Sequence, residues 1–107
     1  MSKLERDFQS DLKKDIRHLL PGCYVFKTDP SQKQGIADLL ILYEDKWAAL
    51  EVKRSASASH RPNQDYYVEE LNNMSFARFI YPENKEEVLN ELQRALCPRR
   101  KTRLPRS

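Results

Sequence analysis

The sequence predicts a single α/β domain whose elements run helix, strand, strand, strand, helix, strand, helix. Three observations carry this. Apolar residues recur at helical spacing in Leu4, Phe8, Leu12, Ile16, Leu19 and Leu20, and again from Val88 to Leu96. Two short apolar runs, Leu39 to Tyr43 and Ala48 to Val52, flank a polar turn. Pro-Gly, Pro and polar clusters mark the joints between elements. At 107 residues the chain has room for one modest core and no second functional module. Residues 1–97 form the predicted domain and 98–107 a basic tail.

The first helix has Ser2 as its N-cap and Glu5 three residues on as capping-box partner, and it runs to about Leu20, where Pro21-Gly22 ends it. His18 has no second His or Cys at ligand spacing, so it reads as a surface or packing residue. Cys23 to Thr28 is the first strand, with Tyr24 and Phe26 on one face and Val25 on the other. The loop 29–35 has turn composition and delivers the chain to Asp38; Lys33 and Gln34 within it can meet a phosphate or simply be solvated.

Leu39 to Tyr43 is apolar on both faces, as a central strand should be, and Ala48 to Val52 is similar. Asp38, Glu51 and Lys53 are the charges that do not fit a purely structural role. If the hairpin loop is Glu44 and Asp45, Tyr43 faces Lys46, and Asp38 falls opposite Glu51 with Cβ atoms roughly 5 Å apart. A loop of Asp45 and Lys46 instead puts Lys53 opposite Asp38, with Glu51 on the diagonal; either even loop keeps all three on one face.

Two carboxylates this close repel unless a proton or cation intervenes. A hard divalent ion such as Mg²⁺ suits them, because it takes one or two carboxylates and leaves other positions to water and a substrate phosphate. The Val52 carbonyl could add a ligand, and Lys53, one pleat away, could steady a phosphate or an attacking water. The plainer reading is an ion-pair ladder on a solvated sheet face.

Residues 54–62 are small and polar, with Arg54, His60 and Arg61 suited to a nucleic-acid backbone or to a plain connector. Pro62 or Asn63 opens a second helix to about Asn73, with Tyr66, Tyr67, Val68 and Leu71 as its expected buried side. Ser75 to Tyr81 is the last strand, broken by Arg78, which should face solvent or a phosphate. Glu83 to Leu96 is the last helix, its acidic first turn matched to the helix dipole and Val88, Leu89, Leu92, Ala95 and Leu96 facing the sheet. Pro98 stops it.

Charge is unevenly placed. The net charge is +3, and Arg99, Arg100, Lys101, Arg103 and Arg106 contribute five positive charges with no acid among them, which leaves the body at −2. Attraction to a polyanion must therefore come from local clusters and the tail. Cys23 and Cys97 fit no zinc spacing and are expected to be reduced thiols. The lack of a long apolar run or an apolar leader leads us to expect a soluble, cytoplasmic protein.

Gly35-Ile36-Ala37-Asp38 followed by Glu51-Val52-Lys53 on the next strand resembles the PD-(D/E)xK nuclease superfamily, and most closely its small stand-alone VRR-NUC and Holliday-junction-resolvase-like members. Ala37 stands where a Pro is usual, which leaves the ligand chemistry intact. The resemblance implies an αβββαβα restriction-endonuclease-like core, a mixed central sheet flanked by helices, over nearly the whole chain. It implies a Mg²⁺- or Mn²⁺-dependent DNA endonuclease in which Asp38, Glu51 and the Val52 carbonyl hold the ion and Lys53 and Gln64 orient water and phosphate. Gln64 with Tyr67 three positions later resembles the glutamine motif that many relatives place on this helix. Related first helices also carry a Glu near the metal, so Glu5 would serve an outer ligand role or a second ion if it reaches the site.

Lys33, Gln34, Arg54, His60, Arg61, Arg99, Arg100 and Lys101 are the expected DNA contacts. The resemblance further suggests a homodimer acting on junctions or flaps, in a bacterial or phage-infected cell. A nicking or site-specific enzyme of a mobile element, a non-catalytic DNA-binding module of the same fold, and a protein-interaction domain with no affinity for DNA are the alternatives.

Overall fold

The computed structural model describes residues 3–29, 31 and 35–98. Its elements are α1 (Lys3–Leu19), β1 (Tyr24–Lys27), β2 (Leu39–Tyr43), β3 (Lys46–Val52), α2 (Gln64–Met74), β4 (Phe76–Ile80) and α3 (Lys85–Leu96), in the order the sequence predicts. Ser2, the side chain of Leu4, Lys33, Gln34 and the tail residues Arg99, Arg100 and Lys101 lie outside the described residues. Among those described, no helix is long and apolar enough to cross a membrane.

The strands form one sheet in the order β1-β2-β3-β4. β1, β2 and β3 are antiparallel neighbours, and β4 lies parallel to β3, so the sheet is mixed. A parallel pair cannot be joined by a hairpin; the chain must cross over one face, and α2 is that crossover.

The hairpin takes the two-residue loop. Tyr43 pairs with Lys46 and Leu39 with Leu50, leaving Glu44 and Asp45 as the turn, with Glu44 at φ 57°. One step further along this ladder, Asp38 meets Glu51. The first of the two alternative registers is therefore the one adopted.

Alternation divides the sheet into two faces. Leu39, Ile41, Ala48, Leu50, Val52 and Ile80 pack with Leu12, Ile16 and Leu20 of α1 and with Val88, Leu92 and Leu96 of α3 in the main core. Ala49 and Ala77 face the other way, against Val68 of α2, where Ala37 from the segment before β2 joins them, with Trp47, Leu71 and Phe79 at the margin. Three small residues here let the crossover helix lie close to the sheet. Tyr24 and Phe26 are exposed and stacked in parallel, 6.0 Å between ring centroids, while Val25 packs inward, as the alternation predicts.

Three side chains depart from expectation. Tyr66 is 57 % exposed rather than buried. The buried stripe of α2 is Gln64 and Val68, four residues apart, and Tyr66 lies midway between them on the opposite side of the helix. Ala95 is exposed, because Val88, Leu89, Leu92 and Leu96 already fill the contact with the sheet and Ala95 falls on the flank. Arg78 pairs across from Leu50 and so projects beneath α3; it is half-buried, bonded to Glu91 at 3.2 Å and to the Asn72 side chain at 2.5 Å. Cys23 and Cys97 are both free, and Cys97 lies 3.6 Å from the Tyr43 hydroxyl.

Candidate active site

Asp38 is held at the mouth of β2 by its own backbone. Thr28 donates its N–H to the Asp38 carbonyl at 2.8 Å and its hydroxyl to the Ala37 carbonyl at 2.5 Å. The Asp38 carboxylate then accepts the Val52 N–H at 3.0 Å, replacing a ladder bond by a side chain. In an antiparallel strand a residue's N–H and C=O point to the same edge. The Val52 carbonyl therefore shares the edge that Asp38 occupies, whereas the next amide, Lys53 N–H, turns to Ile80 on β4 at 2.9 Å.

Glu51, Lys53 and Gln64 form a buried chain of hydrogen bonds; they are 3 %, 8 % and 3 % exposed, so water does not screen them. The Lys53 ammonium donates to Gln64 Oε1 at 2.7 Å and to the Ser59 carbonyl at 3.2 Å. The Arg61 backbone N–H also donates to Gln64 Oε1, at 2.7 Å. With its oxygen committed to two donors, the amide must present its nitrogen to Glu51 Oε2, 2.6 Å away. Lys53 Nζ itself stands 3.9 Å from the same carboxylate oxygen.

Glu51 Oε1 is buried with no hydrogen-bond partner among the described residues. Burial, and then the neighbouring Asp38 charge, push the Glu51 carboxyl up to about 8, against smaller opposing pulls from Lys53 and Arg61. This is the repelling pair that the hairpin register demands. A hard cation fits the residues present: one orphaned carboxylate oxygen, a second carboxylate beside it and a carbonyl on the shared edge, with remaining positions for water. Among the described residues there is no group of three or more His, Cys, Asp or Glu placed to hold an ion, so the protein would supply two carboxylates and not a full cage.

The loop from Lys53 to Gln64 closes one side. Ala56 N–H is tied to Glu83 at 3.1 Å, and His60 stacks on Phe79 at 4.2 Å while bonding Asp65 at 2.7 Å. Arg54, His60 and Arg61 are all exposed on this loop. Gly35, at φ 90°, itself lies close against the start of α2: a Cβ there would lie 3.0 Å from Asn63 Cβ and 3.2 Å from Tyr67. Glu5 is half-buried in the first turn of α1.

Asp38, Glu51, Val52, Lys53 and Gln64 thus come together, all from the stretch that runs from the residue before β2 to the first turn of α2. Two backbone groups escaped prediction, the Ser59 carbonyl and the Arg61 N–H, because main-chain partners leave no mark in side-chain identity.

No family model matches the chain, and no curated protein matches it. Two solved structures do. One, described as "VRR_NUC domain", aligns with a TM-score of 0.67 at 20 % identity, covering 83 % of this chain and 97 % of that one. The other, "VRR_NUC domain protein", aligns with a TM-score of 0.60 at 15 % identity over 90 % of each chain. The fold is therefore a VRR-NUC-like, restriction-endonuclease-like α/β fold.

Proposed function

We propose that this protein is a divalent-cation-dependent endonuclease that hydrolyses phosphodiester bonds in DNA. The observation that carries the reading is the buried Lys53–Gln64–Glu51 chain set beside Asp38, with one oxygen of Glu51 left without a partner. A sheet needs no such arrangement for stability, since burying unpaired polar and charged groups is destabilising. The likeness to VRR_NUC domains supports the same reading.

In this reading Asp38, Glu51 and the Val52 carbonyl hold Mg²⁺ or Mn²⁺. The ion would polarise the scissile phosphate and lower the pKa of bound water. Lys53, fixed at the ammonium by Gln64 and Ser59, lies where it can neutralise a phosphate oxygen or orient the attacking water. Gln64 sets the rotamers of both Glu51 and Lys53 and adds no charge. Arg54, His60 and Arg61 on the flanking loop, together with Lys33, Gln34 and the tail's Arg99, Arg100 and Lys101, meet the backbone of the nucleic acid. Branched DNA, a junction or flap, is the favoured substrate, and a homodimer the favoured assembly.

The test is cleavage of a synthetic four-way junction, a flap, and matched linear and supercoiled duplexes, with Mg²⁺ or Mn²⁺ present or chelated, and with Lys53→Ala alongside. The expected result is metal-dependent cutting that the variant loses. DNA binding without cutting on any of these would sink the catalytic reading in favour of a binding module.

A further inference from the structure

α2 covers half of its face of the sheet. It packs on β3 and β4, where Ala49 and Ala77 meet Val68. On β1 and β2 the same face continues in two rows: Tyr24 pairs with Leu42, which pairs with Trp47, and Phe26 pairs with Leu40, which pairs with Ala49. Leu40, Leu42 and Trp47 are half-buried, whereas Tyr24 is 65 % exposed and Phe26 49 %. Val25, between the two rings, turns to the other face and packs in the main core, so the register of β1 is what directs the rings outward. Neither row contains a charged residue, although a third of the chain is charged.

The next row on this face is the candidate active site. Thr28 N–H bonds the Asp38 carbonyl at 2.8 Å, which carries the β1–β2 ladder one step past Lys27 and Leu39, and Asp38 in turn opposes Glu51. Phe26 is therefore the diagonal neighbour of Asp38 on the same face, their Cβ atoms roughly 7 Å apart. On the far side, Gln64 and the Ser59 carbonyl bond Glu51 and Lys53 and close that approach. Among the described residues, the open side of Asp38 is thus the shelf of β1 and β2. A strand whose phosphate is held at Asp38 and Glu51 passes over Phe26 and then Tyr24, whereas a second protein copy seated on the shelf would cover the approach to Asp38. The two rings lie parallel with centroids 6.0 Å apart. Neighbouring bases of a duplex strand are about 3.4 Å apart and hide their faces in the stack, so rings at this spacing suit an extended strand with its bases unpaired. Exposed aromatic side chains on a sheet hold such bases by stacking, whatever the sequence.

We propose that Tyr24 and Phe26 form a base-stacking platform that holds two unpaired nucleotides beside the scissile phosphate, so that the protein engages DNA whose strands are parted next to the point of cleavage. The inference rests on the nuclease reading above and adds a subsite to it. The two parts of the face divide the nucleotide between them: the carboxylate row takes the charged phosphate through the ion, and the uncharged aromatic rows take the bases.

The double substitution Tyr24→Leu with Phe26→Leu keeps the shelf apolar and removes both ring faces. Affinities of parent and variant for a short oligothymidylate, for a flap with a single-stranded arm and for a blunt duplex are measured by fluorescence anisotropy in Ca²⁺, with sedimentation of both proteins alongside. Both rings are exposed, so the variant is expected to melt with the parent. The expected result is a loss of about tenfold or more on the single strand and the flap, with duplex affinity and sedimentation unchanged. Equal loss on all three DNAs, or loss on none, would overturn the proposal. A parent that sediments as a dimer and a variant that sediments as a monomer would overturn it in favour of a second copy seated on this face. Should the double variant fold poorly, Phe26→Leu alone carries the test, with an expected loss of about fivefold on the same two DNAs. A parent that binds none of the three DNAs and shows no metal-dependent cutting would overturn the nuclease reading and this inference together, whereas a parent that cuts, with a variant that keeps its affinity for unpaired DNA, overturns this inference alone.

Discussion

Gln64 donates its amide N–H to Glu51 across 2.6 Å. The same side chain receives the Lys53 ammonium and the Arg61 N–H on its oxygen, so it cannot flip without breaking three bonds. One uncharged residue thus fixes both the acid and the base of the candidate site.

Replacing it should affect stability and activity together. Gln64→Leu keeps the volume but leaves Glu51, Lys53 and the Arg61 N–H short of partners. The expected loss is about 1–3 kcal/mol in urea denaturation, with cleavage reduced by roughly 10²-fold. A variant as stable and active as the parent would show that the chain is incidental.

The raised carboxyl of Glu51 predicts a pH dependence in the ion-free protein. A group whose folded pKa, about 8, lies above its ordinary value of 4.5 binds more protons folded than unfolded between those values. Its contribution to stability is therefore complete below about pH 4.5 and is lost as pH rises through 8. Chemical denaturation across this window should show stability falling with pH, and Glu51→Gln should flatten that fall. In the proposed complex Mn²⁺ competes with the proton, so its affinity should increase over the same range.

Asp38 should be the gate to ion binding. Mn²⁺ at about 100 times its Kd is expected to stabilise the parent by about 2.7 kcal/mol, read as a rise in Tm. Asp38→Ala, which also removes the acceptor of the Val52 N–H, should show no such rise. An equal rise in both proteins would place the ion elsewhere.

The five positive charges of residues 98–107 predict a salt effect. If each meets a phosphate, deleting the segment should reduce the slope of log affinity against log salt concentration by up to about 4.5. An unchanged slope would assign DNA contact to the loops alone.

Much of this was legible in the sequence because the hairpin constrains it so tightly. Two apolar runs around Glu44 and Asp45 allow few registers, and parity keeps Asp38, Glu51 and Lys53 on one face in each. Gln64 was found through resemblance; nothing in its own neighbourhood announces that a residue near a helix start is buried. The misplacement of Tyr66 has a similar origin: aromatic identity suggested burial, whereas the position on α2 is decided by Val68 and by the polar contact at Gln64. The face of Arg78 follows from the parallel register of β4 on β3, which directs it toward Glu91 and which the apolar pattern of β4 does not encode.

The crossover also has a consequence for how the molecule assembles. β1, β2 and β3 follow one another as a meander whose contacts close over short stretches of chain, so they can form early. At that stage Asp38 and Glu51 are already opposed, but Glu51 has no amide and Lys53 no anchor. Both come only when α2 docks and β4 closes the parallel edge, the step with the longer loop to close. Folding therefore ends where chemistry would begin: a chain halted partway holds the two carboxylates without the groups that orient them.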